Sequence, residues 1–150
     1  MDADRNAPVF SEGSTEVAAA PERVWDFLAD FERWPSWNPD IDTVRLEGPV
    51  AQGTVFRWKA GSARIVSTLQ DVDRPSRLSW TGRTMGMGAI HVWHFEPRGD
   101  GAIVSMEESF SGLAARLLRK KLQRDLDATT AKALAALKTA VERNQASPSV

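Results

Sequence analysis

Cysteine and tyrosine are both absent from the 150 residues. Without thiols the chain has no disulfide framework, no thiolate nucleophile and no cysteine-based metal site. Without phenols, any aromatic surface is built from indole and benzyl rings. Charge of one sign is lacking too: 19 Lys and Arg stand against 20 Asp and Glu, for a net charge of −1. No overall field therefore selects nucleic acid. No apolar run approaches the ~18 residues that cross a bilayer, and the acidic opening MDADRNAPVF has no apolar stretch of a secretory signal. These absences lead to the expectation of a cytoplasmic protein with no membrane span.

What is present is bulk: six Trp and six Phe in a chain that is 42% hydrophobic and 26% charged. That composition suits one globular domain. Residues 1–8 read as a flexible N-terminus, 9–143 as the domain and the polar NQASPSV, 144–150, as a flexible tail.

The periodicity changes along the chain. VFSEGSTEVAA reads as a first strand. APERVWDFLADF then switches to helical spacing, with Pro21 at the first helical position, Glu22 near the positive end of the dipole, and Val24, Phe27, Leu28 and Phe31 on one face. RWPSWNPDI follows, with Trp34, Trp37, Pro35 and Pro39 in neither period. Short alternating segments come next at 41–47, 53–60, 63–73, 76–83, 88–97 and 102–111, bounded by Gly, Pro and Asp turns. The chain closes on a helical pattern with Leu118, Leu122, Leu126, Thr129, Ala133, Leu137 and Val141 in one stripe. Roughly 31 residues at ~1.5 Å each give about 46 Å, enough to cross a sheet. The pattern predicts an α+β fold: an antiparallel, curved, seven-stranded sheet around a long C-terminal helix, with short helices after the first strand.

The last hairpin sets the register. Gly99-Asp100 as a two-residue loop puts Phe95 opposite Val104, Trp93 opposite Met106 and His91 opposite Glu108. Trp93, Phe95, Val104, Met106 and Phe110 then share one face, which a one-residue slip would break. His91 and Glu108 fall on that same inward face, within reach of each other. A carboxylate in an apolar interior must be neutral, paired or hydrated, and a neighbouring carboxylate favours charged histidine. The pair reads either as a register lock or as a ligand anchor and acid/base pair. His91 and His94 lie three apart on a strand and point to opposite faces, so they do not share a metal ion; no metal or other cofactor is expected.

Alternation also turns Phe56, Trp58, Leu78 and Trp80 inward. In 63–73 the phase is ambiguous, with Ile65, Ser67 and Leu69 competing against Val66 and Val72. TGRTMGMGA, 81–89, reads as a hairpin loop or a lid, its glycines mobile and its methionines adaptable. RLLRKKLQR gathers Arg116, Arg119, Lys120, Lys121 and Arg124 at the front of the long helix. It is a solvated face or a docking patch for an acidic partner, with Arg119 and Gln123 at the edge of the apolar stripe near a cavity mouth.

VAAAPERVWDFLADFERWPSWNPDI, DVDRPSRLSWTGR, GAIHVWHFEP and GAIVSMEESFSGLAARLL together resemble the START-like polyketide cyclase/dehydrase superfamily, also called SRPBCC, over about residues 14–143. The resemblance implies a helix-grip fold with a deep cavity for hydrophobic small molecules. It places Trp34 and Trp37 at one end of the core, with Trp37-Asn38-Pro39 turning into the next strand. The expected ligand-facing set is Trp37, Phe56, Trp58, Trp80, Trp93 and Phe95, with Met106, Phe110, Arg119, Leu122 and Leu126. Three functions follow as expectations: binding of a hydrophobic or aromatic small molecule between sheet and helix, a cyclase/dehydratase-type enzyme using His91 and Glu108, or a protein-interaction module using 116–124.

Overall fold

The computed structural model describes residues 1–146, with side chains through Asn144. Strand β1 spans Val9–Val17, helix α1 Pro21–Ala29, and a 3-10 turn at Phe31–Arg33 runs into α2, Trp34–Trp37. Six strands follow: β2 Ile41–Leu46, β3 Val55–Ala60, β4 Ala63–Asp73, β5 Arg77–Thr84, β6 Met87–Arg98 and β7 Gly101–Ser111. Helices α3, Leu113–Leu117, and α4, Arg119–Ala146, end the chain. The strands form one seven-stranded antiparallel sheet in the order β1-β7-β6-β5-β4-β3-β2. Among the described residues no helix is long and apolar enough to cross a membrane.

The β6–β7 register is the expected one: His91 pairs with Glu108, Trp93 with Met106 and Phe95 with Val104. The ambiguity in β4 has a physical resolution. A bulge between Leu69 and Val72 shifts the register, so Leu69 before it and Val72 after it both meet the core. The segment 81–89 is a tight hairpin between β5 and β6, with positive φ at Met85 and Gly86.

Helix α4 crosses the concave face and is zipped to β1. Gln123 donates to the Phe10 carbonyl (2.6 Å) and accepts from the Phe10 amide (3.0 Å). Further along, Ser11 donates to Asp127 (2.7 Å) and Lys138 to the Glu16 carbonyl (2.7 Å). Gly13 permits the close approach, since a Cβ there would lie 2.9 Å from Leu134 Cδ1. The apolar stripe holds at Leu126, Ala133, Leu137 and Val141, all buried.

The stripe fails at its front. One continuous helix was the expectation, yet the chain breaks at Leu118, whose φ of −108° and ψ of 25° end α3. Leu118 lies in solvent. The corner begins at Gly112, with φ of 105°, where a Cβ would sit 2.9 Å from the Gly86 carbonyl oxygen. That close approach pins α3 to the β5–β6 hairpin and forces a change of direction before α4 starts.

Both termini carry structure. Residues 1–8 lie on the convex face: Ala3 is buried, the Asp4 amide donates to Ser109 Oγ, and the Met1 amino group pairs with Asp71 at 3.0 Å. Arg77 donates to the Met1 carbonyl and to Asp2. This cover explains why Val92 and Ser79, on the outer face, are fully buried. At the other end α4 continues through Ala146, so 144–146 are helical; the rest of the expected tail lies outside the described residues.

Candidate functional site

Aromatic rings fill one half of the space between sheet and helix. Phe31 anchors them, with ring centroids 4.7 Å from Trp34, 4.9 Å from Phe56 and 5.7 Å from Trp80. Trp34 is buried and donates to the Leu28 carbonyl at 2.8 Å. It plugs the core end, as its place between α1 and β2 requires. Phe56, Phe95 and Met106, expected to face a ligand, are instead packed in this filled part. Phe56 meets Phe31, Trp34 and Trp80 ring to ring there, and Phe95 and Met106 are buried in the same cluster.

Toward the front of α4 the packing opens into a cavity of about 260 Å³. Its walls carry Trp37, Trp58, Trp80, Trp93 and Phe110, and α4 contributes Leu122 and Leu126. Arg119 does not reach it; the break at Leu118 turns that side chain into solvent. Asp40 and Asp125 also line it, and no periodicity or motif pointed to either. Ala60 and Ala63 were legible in principle, because small residues flanking the β3–β4 turn leave room at its edge.

The polar centre of the wall is the His91–Glu108 pair. Nδ1 of His91 lies 3.3 Å from Oε2 of Glu108, and the side chains are only 10% and 13% exposed. His91 is clamped between rings: 4.7 Å from Trp80 and stacked on Trp93 at 5.7 Å with 12° between planes. Burial penalises the charged form of each group. It pushes the Glu108 carboxyl up to about 8 and the His91 imidazole down to about 3. The sequence left the pair neutral, charged or hydrated; the dry surroundings favour the neutral pair. Glu108 lines the cavity, while His91 stands behind it. Its near-strand neighbour His94 faces the opposite side, as their spacing requires.

Unpaired polar atoms mark the same place. The Nε1 groups of Trp37 and Trp93 are buried without hydrogen-bond partners, as are both ring nitrogens of His91. Trp58, by contrast, donates to Ser67 Oγ at 3.0 Å. Each unmet buried donor carries a desolvation cost of about 1–3 kcal/mol, which an acceptor would relieve. Neutral Glu108 adds another donor. Wider depressions exist elsewhere, one between α2 and the back of α4 and one on the convex face. Neither holds a buried titratable pair.

Residues 10–142 match the family model described as polyketide cyclase / dehydrase and lipid transport. No curated protein matches the chain. Among solved structures, a hypothetical protein from Helicobacter pylori aligns over 91% of this chain and 90% of its own, with a TM-score of 0.81 and 16% identity. The Zhui aromatase/cyclase from a Streptomyces species covers 91% and 94%, with a TM-score of 0.80 and 18% identity. A START superfamily protein from Mycobacterium smegmatis covers 89% and 97%, with a TM-score of 0.73 and 16% identity. At these identities the structures share the helix-grip fold.

Proposed function

Because this chain belongs to the polyketide cyclase / dehydrase and lipid transport family, we propose that it binds a hydrophobic or aromatic small molecule bearing an oxygen acceptor, in the cavity between the sheet and α4. The observation that carries this reading is the coincidence of an indole-lined cavity with unpaired buried donors on Trp37 and Trp93. The rings supply apolar contact, at roughly 25 cal/mol per Å² removed from water. The donors and neutral Glu108 select a carbonyl or ether oxygen over a bare hydrocarbon. A buried anion would be excluded, since among the described residues no Lys or Arg lines the cavity.

Titration with 2-naphthol, followed by tryptophan fluorescence, tests the proposal. Saturable quenching is the expected result. Ala63→Trp, which fills the cavity edge, should weaken it at least tenfold while the circular dichroism of the fold persists. Non-saturable quenching, or equal quenching in both proteins, would remove the reading.

The His91–Glu108 geometry favours a second reading, an enzyme of the cyclase/dehydratase type. Glu108, a neutral acid on the wall, donates its proton to the substrate carbonyl oxygen that is attacked by an enol carbon of the same chain; the C=O π bond becomes C–OH as the C–C bond forms, and the carboxylate takes back the enol O–H proton as that enol becomes a ketone. His91, with Nδ1 3.3 Å from Oε2 of Glu108 and its ring held between Trp80 and Trp93, acts as a positioning residue through that approach. General acids contribute roughly 10²–10⁴ in rate. Glu108→Gln should therefore lower kcat on a linear poly-β-ketone thioester at least about a hundredfold, with 2-naphthol affinity nearly unchanged. Wild-type protein that binds naphthol but never turns over such a thioester would leave a binding protein alone.

A further inference from the structure

The front end of the C-terminal region carries a feature that ligand binding does not use. Leu113, Leu117 and Leu118 are 71%, 75% and 52% exposed, and Met85 on the neighbouring hairpin is 66% exposed. Leu113 and Leu117 are one turn apart on α3 and so share a face. Met85 adjoins them because Gly112 sits against Gly86. Leucines this exposed are costly in water, and nothing in the helix requires them there.

Around this apolar tip stand Arg116, Arg119, Lys120, Lys121 and Arg124, with no acidic residue between Gly112 and Arg124. Of these, Lys121 is tied to Asp125 at 2.7 Å; the others enter no ion pair among the described residues. The whole chain has a net charge of −1, so this end is a local concentration of positive charge. The tip is also continuous with the cavity, since Leu122 follows directly on α4 and Phe110 precedes Gly112 on β7, and both line it.

We propose that this end docks on the surface of an anionic membrane, with Leu113, Leu117, Leu118 and Met85 inserted among the headgroups and the flanking cations meeting acidic lipids. The chemistry is that of an interfacial amphipathic anchor: apolar side chains that protrude, ringed by basic ones. A second copy of the chain fits less well, because a two-fold contact through the leucines would set one basic cluster against the other. An acidic protein would satisfy the cations, but protruding leucines on a short helix present no groove for it. Docking here brings the cavity mouth to the lipid surface, where apolar molecules concentrate. The proposal does not depend on the identity of the cavity ligand, nor on the ligand reading itself.

The test is co-sedimentation of the full chain with vesicles of phosphatidylcholine alone and of phosphatidylcholine with 30 mol% phosphatidylglycerol. Binding to the anionic vesicles at low salt, weakened by high salt, is expected. The double reversal Arg119→Glu/Lys120→Glu should weaken it at least about tenfold. Leu113→Ser/Leu117→Ser should do so without altering net charge, and both variants should keep the thermal melt, since every replaced side chain is exposed. Failure to sediment with anionic vesicles at low salt would overturn the proposal. So would binding indifferent to the leucines, which would reduce the patch to bulk charge. Concentration-dependent dimerisation abolished by the leucine variant, or saturable vesicle-independent binding to poly-L-glutamate as an acidic polypeptide, in place of vesicle binding, would overturn the proposal and assign the surface to those partners instead.

Discussion

Phe31→Ala is expected to lower the free energy of unfolding by about 3–5 kcal/mol. The ring is 1% exposed and sits against Trp34, Phe56 and Trp80. Truncation removes its burial and leaves a void walled by rigid rings that cannot collapse into it. A single domain is stable by only about 5–15 kcal/mol, so the loss is a large share of the total. Urea unfolding at pH 5.5 measures it. A change below about 1 kcal/mol would mean that the ring cluster is loosely packed. Leu113→Ala is the comparison, and because its side chain is in solvent it should scarcely move the midpoint.

The second large effect is a pH profile of stability with a plateau. Glu108 titrates near 8 in the folded chain against an ordinary value of 4.5. Its contribution is complete below 4.5 and is lost as pH rises toward 8, because the unfolded carboxyl gives up its proton first. His91 titrates near 3 against an ordinary value of 6.5. Its contribution is complete above 6.5 and is lost as pH falls toward 3. Each slope is at most about 1.4 kcal/mol per pH unit. Between 4.5 and 6.5 the opposing slopes cancel. Stability should therefore be level across that window, fall on the acid side through His91, and fall between 6.5 and 8 through Glu108. Glu108→Gln should abolish the alkaline fall and turn the plateau into a rise up to pH 6.5. His91→Gln should give the opposite, a decline beginning at 4.5. Urea midpoints at half-unit steps decide it. A wild-type curve that stays level to pH 8 would mean that the carboxyl is hydrated.

Much of the architecture was readable because alternation and turn chemistry agree in this chain. Gly99-Asp100 fixed one register, and that register placed His91 across from Glu108. Inward alternation likewise brought Trp58, Trp80 and Trp93 to the cavity wall. Periodicity could not separate Phe56 and Phe95 from these, since whether an inward ring meets ligand or another ring depends on the local width between sheet and helix. Nor could it foresee the break at Leu118. Leu118 has helical spacing with Leu122, and the interruption comes from the Gly112 corner against Gly86, a contact between distant parts of the chain. The charge state of His91 and Glu108 was left open by the sequence for a related reason. A facing carboxylate is visible in the register, but the dryness that neutralises both partners comes from Trp80 and Trp93 closing around them.

The pairing of β1 with β7 has a consequence for how the molecule is made. Val9 hydrogen-bonds across to the strand that holds Phe110, and α4 then seals β1 from inside. A ribosome must deliver the chain through β7 before β1 finds its partner. Until α4 emerges, the tryptophan-rich hollow has no roof, and contacts of such long sequence separation form slowly. Nascent chains stalled before residue 119 should therefore be the ones that chaperones hold.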